Sequence, residues 1–290
     1  MDAITLLTPA KINLSIDVLK RLDNGYHQVE MIMQAVGLYD TVTIEKRDKG
    51  ISISCSVPYV PCGSRNIAWK AAQAFFDVCS EKGGIHIDIK KNIPVAAGLA
   101  GGSTNAAGVL KGLNLLYGSP LGKEELHRLS SKLGADVAFC LDGGTQLARG
   151  IGDELTVLPD FADVNVVLVK PPFSVSTAWV YKNLNLNDLG NRPRTELLLK
   201  AVSDHDVHTV AGNMENVLES VTVRKYPEIK RIMDLLLEYG ALGSRMSGSG
   251  PTVFGIFDSS DSAARAFEHF KKRYEQVFHV KTIGRGEYKA

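Results

Sequence analysis

Between residues 94 and 110 the chain reads PVAAGLAGGSTNAAGVL, a glycine-rich stretch that runs into helix-compatible sequence. Gly98, Gly101 and Gly102 let the backbone take positive φ and approach a ligand with no Cβ in the way. Ser103, Thr104 and Asn105 follow, all helix N-capping types, and then AAGVLKGLNLLYG. The first N–H groups of a helix starting here lack intrahelical partners, and the positive end of its dipole faces the loop. Such a terminus is suited to a phosphate. The spacing Gly-x-x-Gly-Gly is neither a Walker loop, which ends in Gly-Lys-Ser/Thr, nor the Gly-x-Gly-x-x-Gly dinucleotide fingerprint. The bland alternative is a strand-to-helix turn, but such turns take about two to six residues and need no Ala/Gly filler. A phosphate-holding loop is the better reading.

Other chemistry-bearing residues lie far from this loop in sequence. Lys11 and Asn13 fall on one face of the alternating segment KINLSIDV (11–18), with Ile12, Leu14, Ile16 and Val18 on the other. A single strand lysine is most often solvated, so Lys11 gains interest only with partners. Tyr26 and His27 follow LDNG (22–25), an Asn-Gly hairpin signal. They suit stacking on and hydrogen bonding to a flat heterocycle; taken alone, ordinary sheet-edge residues is the favoured reading. Asp136, in GADVAFCLDGG, stands between a helix-ending glycine and an apolar run. Its position supports a helix cap and a catalytic carboxylate about equally. Thr177 and Tyr181 lie one helical turn apart.

The elements that must position these groups follow from periodicity and punctuation. Strands are expected at 11–18, 26–36, 41–45, 51–56 and 85–89, with a helix over 65–80 whose Ile67, Ala71, Ala74 and Val78 form one stripe. A helix follows the glycine loop, and another spans 124–133, ended by Gly134 as an αL cap. Strands at 145–148 and 154–158 close the first half. The second half shows strands at 164–169, 252–257 and 277–283, and helices at 176–184, 196–202, 206–211, 216–221, 227–239 and 263–274. A second glycine-rich segment, SGSGP (247–251), precedes the strand at 252. The alternation is that of an α+β protein, with a soft boundary near 160 where composition does not shift.

The 290 residues can form one large or two ordinary domains with a full core. With 33 basic and 32 acidic residues mixed along the chain, no basic stripe advertises nucleic acid or an anionic membrane. An anionic ligand must be caught locally. No apolar run reaches the roughly 18 residues of a membrane span, and MDAITLLTPA lacks the basic n-region of a signal peptide. Cys55, Cys62, Cys79 and Cys140 are scattered without a Cys-x-x-Cys pair, which points to reduced thiols and a cytoplasmic protein without a protein-built metal cage.

Three separated segments, PAKINLSIDV, PVAAGLAGGSTNAAGVL and MSGSGPTVFGIF, resemble the three motifs of the GHMP kinases, which phosphorylate small metabolites with ATP and magnesium. DNGYH, GADVAFCL and NVLESV resemble the branch whose acceptor is a cytidine diphosphate-linked methylerythritol. The resemblance implies an α+β fold of two domains, 1–160 binding ATP and 161–290 a C-terminal α/β domain, with the active site between them. It implies ATP contacts along Pro94, Val95, Ala96, Ala97, Gly98, Leu99, Ala100, Gly101, Gly102, Ser103 and Thr104, with Mg2+ near Ser103 or Thr104. By the same resemblance Asp136 is the base and Lys11 its partner. Asn13, Tyr26, His27, Thr177 and Tyr181 hold the substrate, Tyr26 and Tyr181 by stacking on cytosine and His27 by hydrogen bonding. A nucleotide-binding module without catalysis would need neither Lys11 nor Asp136.

Overall fold

A computed structural model describes residues 2–79 and 83–286. Its first half is built on two long antiparallel strands, β1 (Ala3–Arg21) and β2 (His27–Arg47), paired from Ala3↔Glu45 to Arg21↔His27. The Asn-Gly turn joins them: Gly25 takes φ 86° and Asn24 Oδ1 accepts the N–H of Tyr26 at 3.0 Å. The strands expected separately at 26–36 and 41–45 are one continuous β2. Gly37 does not end it. An added Cβ there would lie 3.4 Å from Lys281 O, so this glycine admits a passing backbone rather than a turn.

The free edge of β2 is shared. Residues 31–34 pair with β5 (Thr145–Arg149) and residues 41–47 with β4 (Gly84–Lys90). Outside these run β3 (Gly50–Cys55), parallel to β4, and β6 (Glu154–Val157), antiparallel to β5. Helices α1 (Ile67–Cys79), α2 (Gly101–Leu116), α3 (Lys123–Leu133) and α4 (Ala135–Asp142) bury Phe75, Leu110, Leu113 and Phe139 against Val42 and Ile44. On α1 the buried set is Ala68, Ala71, Ala72 and Phe75, while Val78 is 41 % exposed. The stripe is rotated from the expected one because the Phe75 ring takes the deepest place; Ser80 lies outside the described residues. Gly134 has φ 158° and ψ 151°, so it ends α3 in an extended conformation, not as an αL cap.

The second half is a four-stranded antiparallel sheet in the order β10-β7-β9-β8, from β7 (Asn165–Lys170), β8 (Gly243–Met246), β9 (Val253–Phe257) and β10 (Gln276–Lys281). β8 is not among the expected strands, because GSRM carries no apolar alternation. Its helices are α5 (Thr177–Lys182), α6 (Thr195–Ser203), α7 (Val207–Asn213), α8 (Glu219–Lys225), α9 (Glu228–Glu238) and α10 (Ser260–Lys271). One face of this sheet packs Val167, Val169 and Phe257 on Ile229, Ile232 and Phe270. The other packs Val166, Leu168, Phe254 and Ile256 on Ile12, Leu14 and Ile32 of β1 and β2.

This second contact makes a buried core common to both halves. It also changes β1: Lys11, Asn13, Ser15 and Asp17, its polar face, are all buried. Asp17 is paired with Arg192, whose Nε donates to its two oxygens at 3.0 and 3.1 Å and whose Nη2 donates to Val18 O at 3.0 Å. Among the described residues no helix is long and apolar enough to cross a membrane.

Candidate active site

The glycine-rich loop leads from β4 into α2, and the helix begins earlier than its capping residues suggested. Ala100, at φ 56° and ψ 25°, is the N-cap, and α2 starts at Gly101. Ser103, Thr104 and Asn105 therefore lie inside the first helical turns. Of the three glycines only Gly98 has positive φ, at 78°; the other left-handed positions of the loop are Ala96 and Ala100. Gly98 serves close approach as well. A Cβ there would stand 2.2 Å from the carbonyl oxygen of Ser247, in the second glycine-rich segment, and Ser247 Oγ donates to Gly98 O at 2.9 Å. Thr252 N also donates to Ala97 O at 3.3 Å. The two glycine segments are thus docked on each other.

A cleft of about 390 Å³ opens above this junction. Pro94, Val95, Ala96, Ala97, Gly98, Ala100, Gly101, Gly102 and Ser103 line it. Leu99 and Thr104 do not: both side chains are buried in the core, and Leu99 contributes its carbonyl, which accepts from Lys11 N at 3.2 Å. From β1 the cleft receives Lys11 and Asn13, and from the first turn of α4 it receives Asp136. Lys11 Nζ donates to Asn13 Oδ1 at 2.7 Å and lies 3.9 Å from Asp136 Oδ2, with the lysine side chain 6 % and the aspartate 39 % exposed. Asp136 is not the N-cap of α4; Gly134 is. The carboxylate is left facing the cleft, next to a buried ammonium.

A second pocket, of about 690 Å³, is lined by Arg21, Tyr26, His27, Ile151, Lys182 and Leu186 among others. Thr177 and Tyr181 line both spaces. Their placement on one face of α5 follows from the one-turn spacing, and Ser176 caps that helix by accepting from Trp179 N. The Tyr181 ring lies 5.2 Å from that of His27, tilted by 36°, whereas Tyr26 is 61 % exposed at the pocket mouth. Burial, reinforced by the charge of Asp136, pushes the Tyr181 phenol up to about 12. Burial first and then the Arg21 cation lower the pKa of His27 from its ordinary value, which favours the neutral ring.

Several lining groups escaped the sequence reading. Lys91, at the end of β4, donates to the buried carboxylate of Asp40 and, at 3.2 Å, to Asn105 Oδ1. Asp40 also accepts the N–H groups of Asn92 and Ile93 at 2.7 and 2.8 Å, which fixes the entry to the loop. No local spacing signals this cluster. Ser249 was visible as part of SGSGP, but its partner, Thr177 Oγ1 at 2.8 Å, is not deducible from the segment. Among the described residues no group of three or more His, Cys, Asp or Glu could hold a metal ion.

The chain is similar in sequence and fold to known kinases. A family model described as "GHMP kinases N terminal domain" matches residues 66–144, and one described as "GHMP kinases C terminal" matches residues 198–276. A 4-diphosphocytidyl-2-C-methyl-D-erythritol kinase from Acetivibrio thermocellus is 51 % identical over 283 residues, covering 98 % of this chain and 100 % of the relative. One from Clostridium novyi is 48 % identical over 274 residues, covering 94 % and 98 %. A crystal structure of 4-(cytidine 5'-diphospho)-2C-methyl-D-erythritol kinase superposes with a TM-score of 0.82 at 32 % identity, over 97 % of this chain and all of that one. A homoserine kinase from Cytophaga hutchinsonii, 20 % identical, shares the fold with a TM-score of 0.79, over 100 % of this chain and 97 % of that one.

Proposed function

Because the chain belongs to the GHMP kinase family, we propose that it transfers the γ-phosphoryl group of ATP to the 2-hydroxyl of 4-diphosphocytidyl-2-C-methyl-D-erythritol. The products are the 2-phosphate and ADP, in the non-mevalonate route to isoprenoid precursors. The observation that carries this reading is the shared wall of the two pockets. Thr177 and Tyr181 join a cleft holding Lys11, Asp136 and the glycine loop to an aromatic pocket holding Tyr26 and His27. A substrate with a cytosine at one end and an alcohol at the other suits that arrangement. Homoserine or mevalonate, the acceptors of other GHMP kinases, would leave the aromatic pocket unused.

In this reading residues 1–160 bind the nucleotide, residues 161–290 complete the site, and the reaction occurs between them. The donor phosphates lie against the N-terminus of α2, where unpaired N–H groups and the helix dipole favour negative charge. Asp136 takes the proton of the attacking hydroxyl. A weak base suffices when the transition state is loose, because that proton leaves late. Asn13 orients Lys11, whose ammonium, 3.9 Å from the Asp136 carboxylate, offsets charge that builds on the transferred group. The Ser103 hydroxyl, a hard donor that lines the cleft, fits a magnesium ion brought by the nucleotide, whereas buried Thr104 does not. When bound, the ion neutralises phosphate charge. Cytosine stacks between Tyr26 and Tyr181 and hydrogen-bonds to neutral His27. The protein acts in the cytoplasm on a small-molecule substrate, with neither nucleic acid nor membrane as partner.

The test is a coupled assay with ATP, Mg2+ and either the cytidyl substrate or mevalonate. Turnover of the first alone, inhibited by CMP or CDP, is expected; phosphorylation of mevalonate, or indifference to excess CDP, would overturn the acceptor assignment.

A further inference from the structure

Asn216 opens the segment NVLESV, and no step described above uses it. Its side chain is buried, yet its amide is fully engaged. Nδ2 donates to Met246 O and to Gly248 O, each at 2.8 Å, and Oδ1 accepts from Leu218 N at 3.0 Å. Met246 and Gly248 flank Ser247, whose hydroxyl reaches Gly98 O in the phosphate loop. Gly248 and Ser249 themselves line the cleft. The neighbours of Asn216 in the chain meet β1: Ile16 N donates to Glu215 O at 2.9 Å, and Val217 N donates to Ile16 O at 3.1 Å. One residue therefore stands where the strand carrying Lys11 and the second glycine turn are registered on each other.

The chemistry of the position is narrow. Two carbonyl oxygens converge on one nitrogen, and an N–H approaches from the other side, so the side chain must present two donors and an acceptor in a short planar fork. Aspartate has the shape but sets oxygen against the two carbonyls. Serine supplies one donor at most.

We infer that Asn216 is a positioning residue: it holds the turn 246–250 in register with β1 and thereby sets the phosphate loop, through the Ser247–Gly98 contact, relative to Lys11. It touches neither nucleotide nor acceptor and acts through Ser247 and Gly98. This rests on the kinase reading above, where a displacement of about 1 Å between donor loop and lysine costs about 100-fold in rate.

The experiment compares the full-length wild type with Asn216→Asp, Asn216→Ser and a core control, Ile232→Ala, in α9 away from both pockets. Thermal midpoint, kcat and both KM values are measured, with calorimetric binding of a non-hydrolysable ATP analogue. The expected result is a kcat loss of about 100-fold for the aspartate variant and about 10-fold for serine, nucleotide binding weakened about fivefold, and KM for the cytidyl substrate within about twofold. Ile232→Ala should lose as much thermal stability with kcat within about twofold. The proposal is overturned if either Asn216 variant keeps kcat and nucleotide affinity at the level of a control of equal thermal midpoint. If aspartate prevents folding, the serine variant decides alone by the same criteria. If the wild type binds the analogue but leaves the cytidyl substrate unreacted, the acceptor reading fails, and analogue affinity of Asn216→Ser against wild type still decides the positioning role.

Discussion

Asp136 and Lys11 face each other across 3.9 Å with unequal exposure, and the proposed roles follow that difference. The open carboxylate can reach an acceptor hydroxyl, while the buried lysine is held by Asn13. Asp136→Asn keeps the shape and removes the base, so kcat should fall by about 1,000-fold or more while ATP affinity stays within about twofold, read by calorimetry beside steady-state kinetics. His27 provides a pH test. Its pKa lies below the ordinary 6.5 through burial and the Arg21 cation, so above that value the ring is neutral and offers one donor and one acceptor. KM for the cytidyl substrate should be flat above pH 6.5 and rise as protonation replaces the acceptor by a second donor. Arg21→Ala removes the cation that lowers the pKa and should move the rise to higher pH. A KM–pH profile of both proteins checks the sign.

At the scale of the element, the glycines of the loop differ in what they do. Gly98 combines φ 78° with a Cβ position 2.2 Å from Ser247 O. Gly98→Ala should cost about 2 kcal/mol or more in denaturant unfolding and weaken ATP binding, since the two glycine segments must separate. Gly102 sits within α2, and its nearest contact to an added Cβ is Ile67 Cγ2 at 3.7 Å. Gly102→Ala should leave stability within about 0.5 kcal/mol and lower nucleotide affinity alone. Glu219, which opens α8 and accepts from Met246 N at 2.8 Å, carries a different signal. Burial raises its pKa from 4.5 to about 7, so the folded state holds a proton that the unfolded chain releases near 4.5. Stability is therefore lost as pH rises from 4.5 toward 7, by up to about 3 kcal/mol. Glu219→Gln should flatten that slope, measured as urea unfolding at pH 5 and pH 8.

For the whole molecule, the decisive feature is the core shared by the halves, in which Ile12, Leu14 and Ile32 pack on Val166, Leu168 and Phe254. Each half alone would expose that face. A fragment of residues 1–160 should lack cooperative unfolding in calorimetry, whereas the full chain should show one transition. ATP analogue at about 100 times its Kd should stabilise the full chain by about 2.7 kcal/mol, the mass-action effect of a ligand that binds only the folded state.

Local chemistry made a large part of this legible in the linear chain. Short-range periodicity marks the alternation of strands and helices, LDNG marks the hairpin, and the glycine loop marks the approach to a helix start. These features depend on neighbours within a few residues, which is the range over which propensity and turn chemistry act. The same range explains the errors. Ser103 and Thr104 read as caps, yet only the folded chain shows the helix beginning at Gly101, turning Ser103 to the cleft and Thr104 to the core. The face of β1 carrying Lys11 reads as polar and becomes buried because the loop and the second half cover it. Asp40 beneath Lys91, Ser249 beside Thr177, and Ser247 on Gly98 join segments 51, 72 and 149 residues apart. The linear chain carries the side-chain types and their local spacing; packing between distant segments decides that Lys11 meets Asp136 and His27 meets Tyr181, because burial and contact at that separation belong to the whole chain.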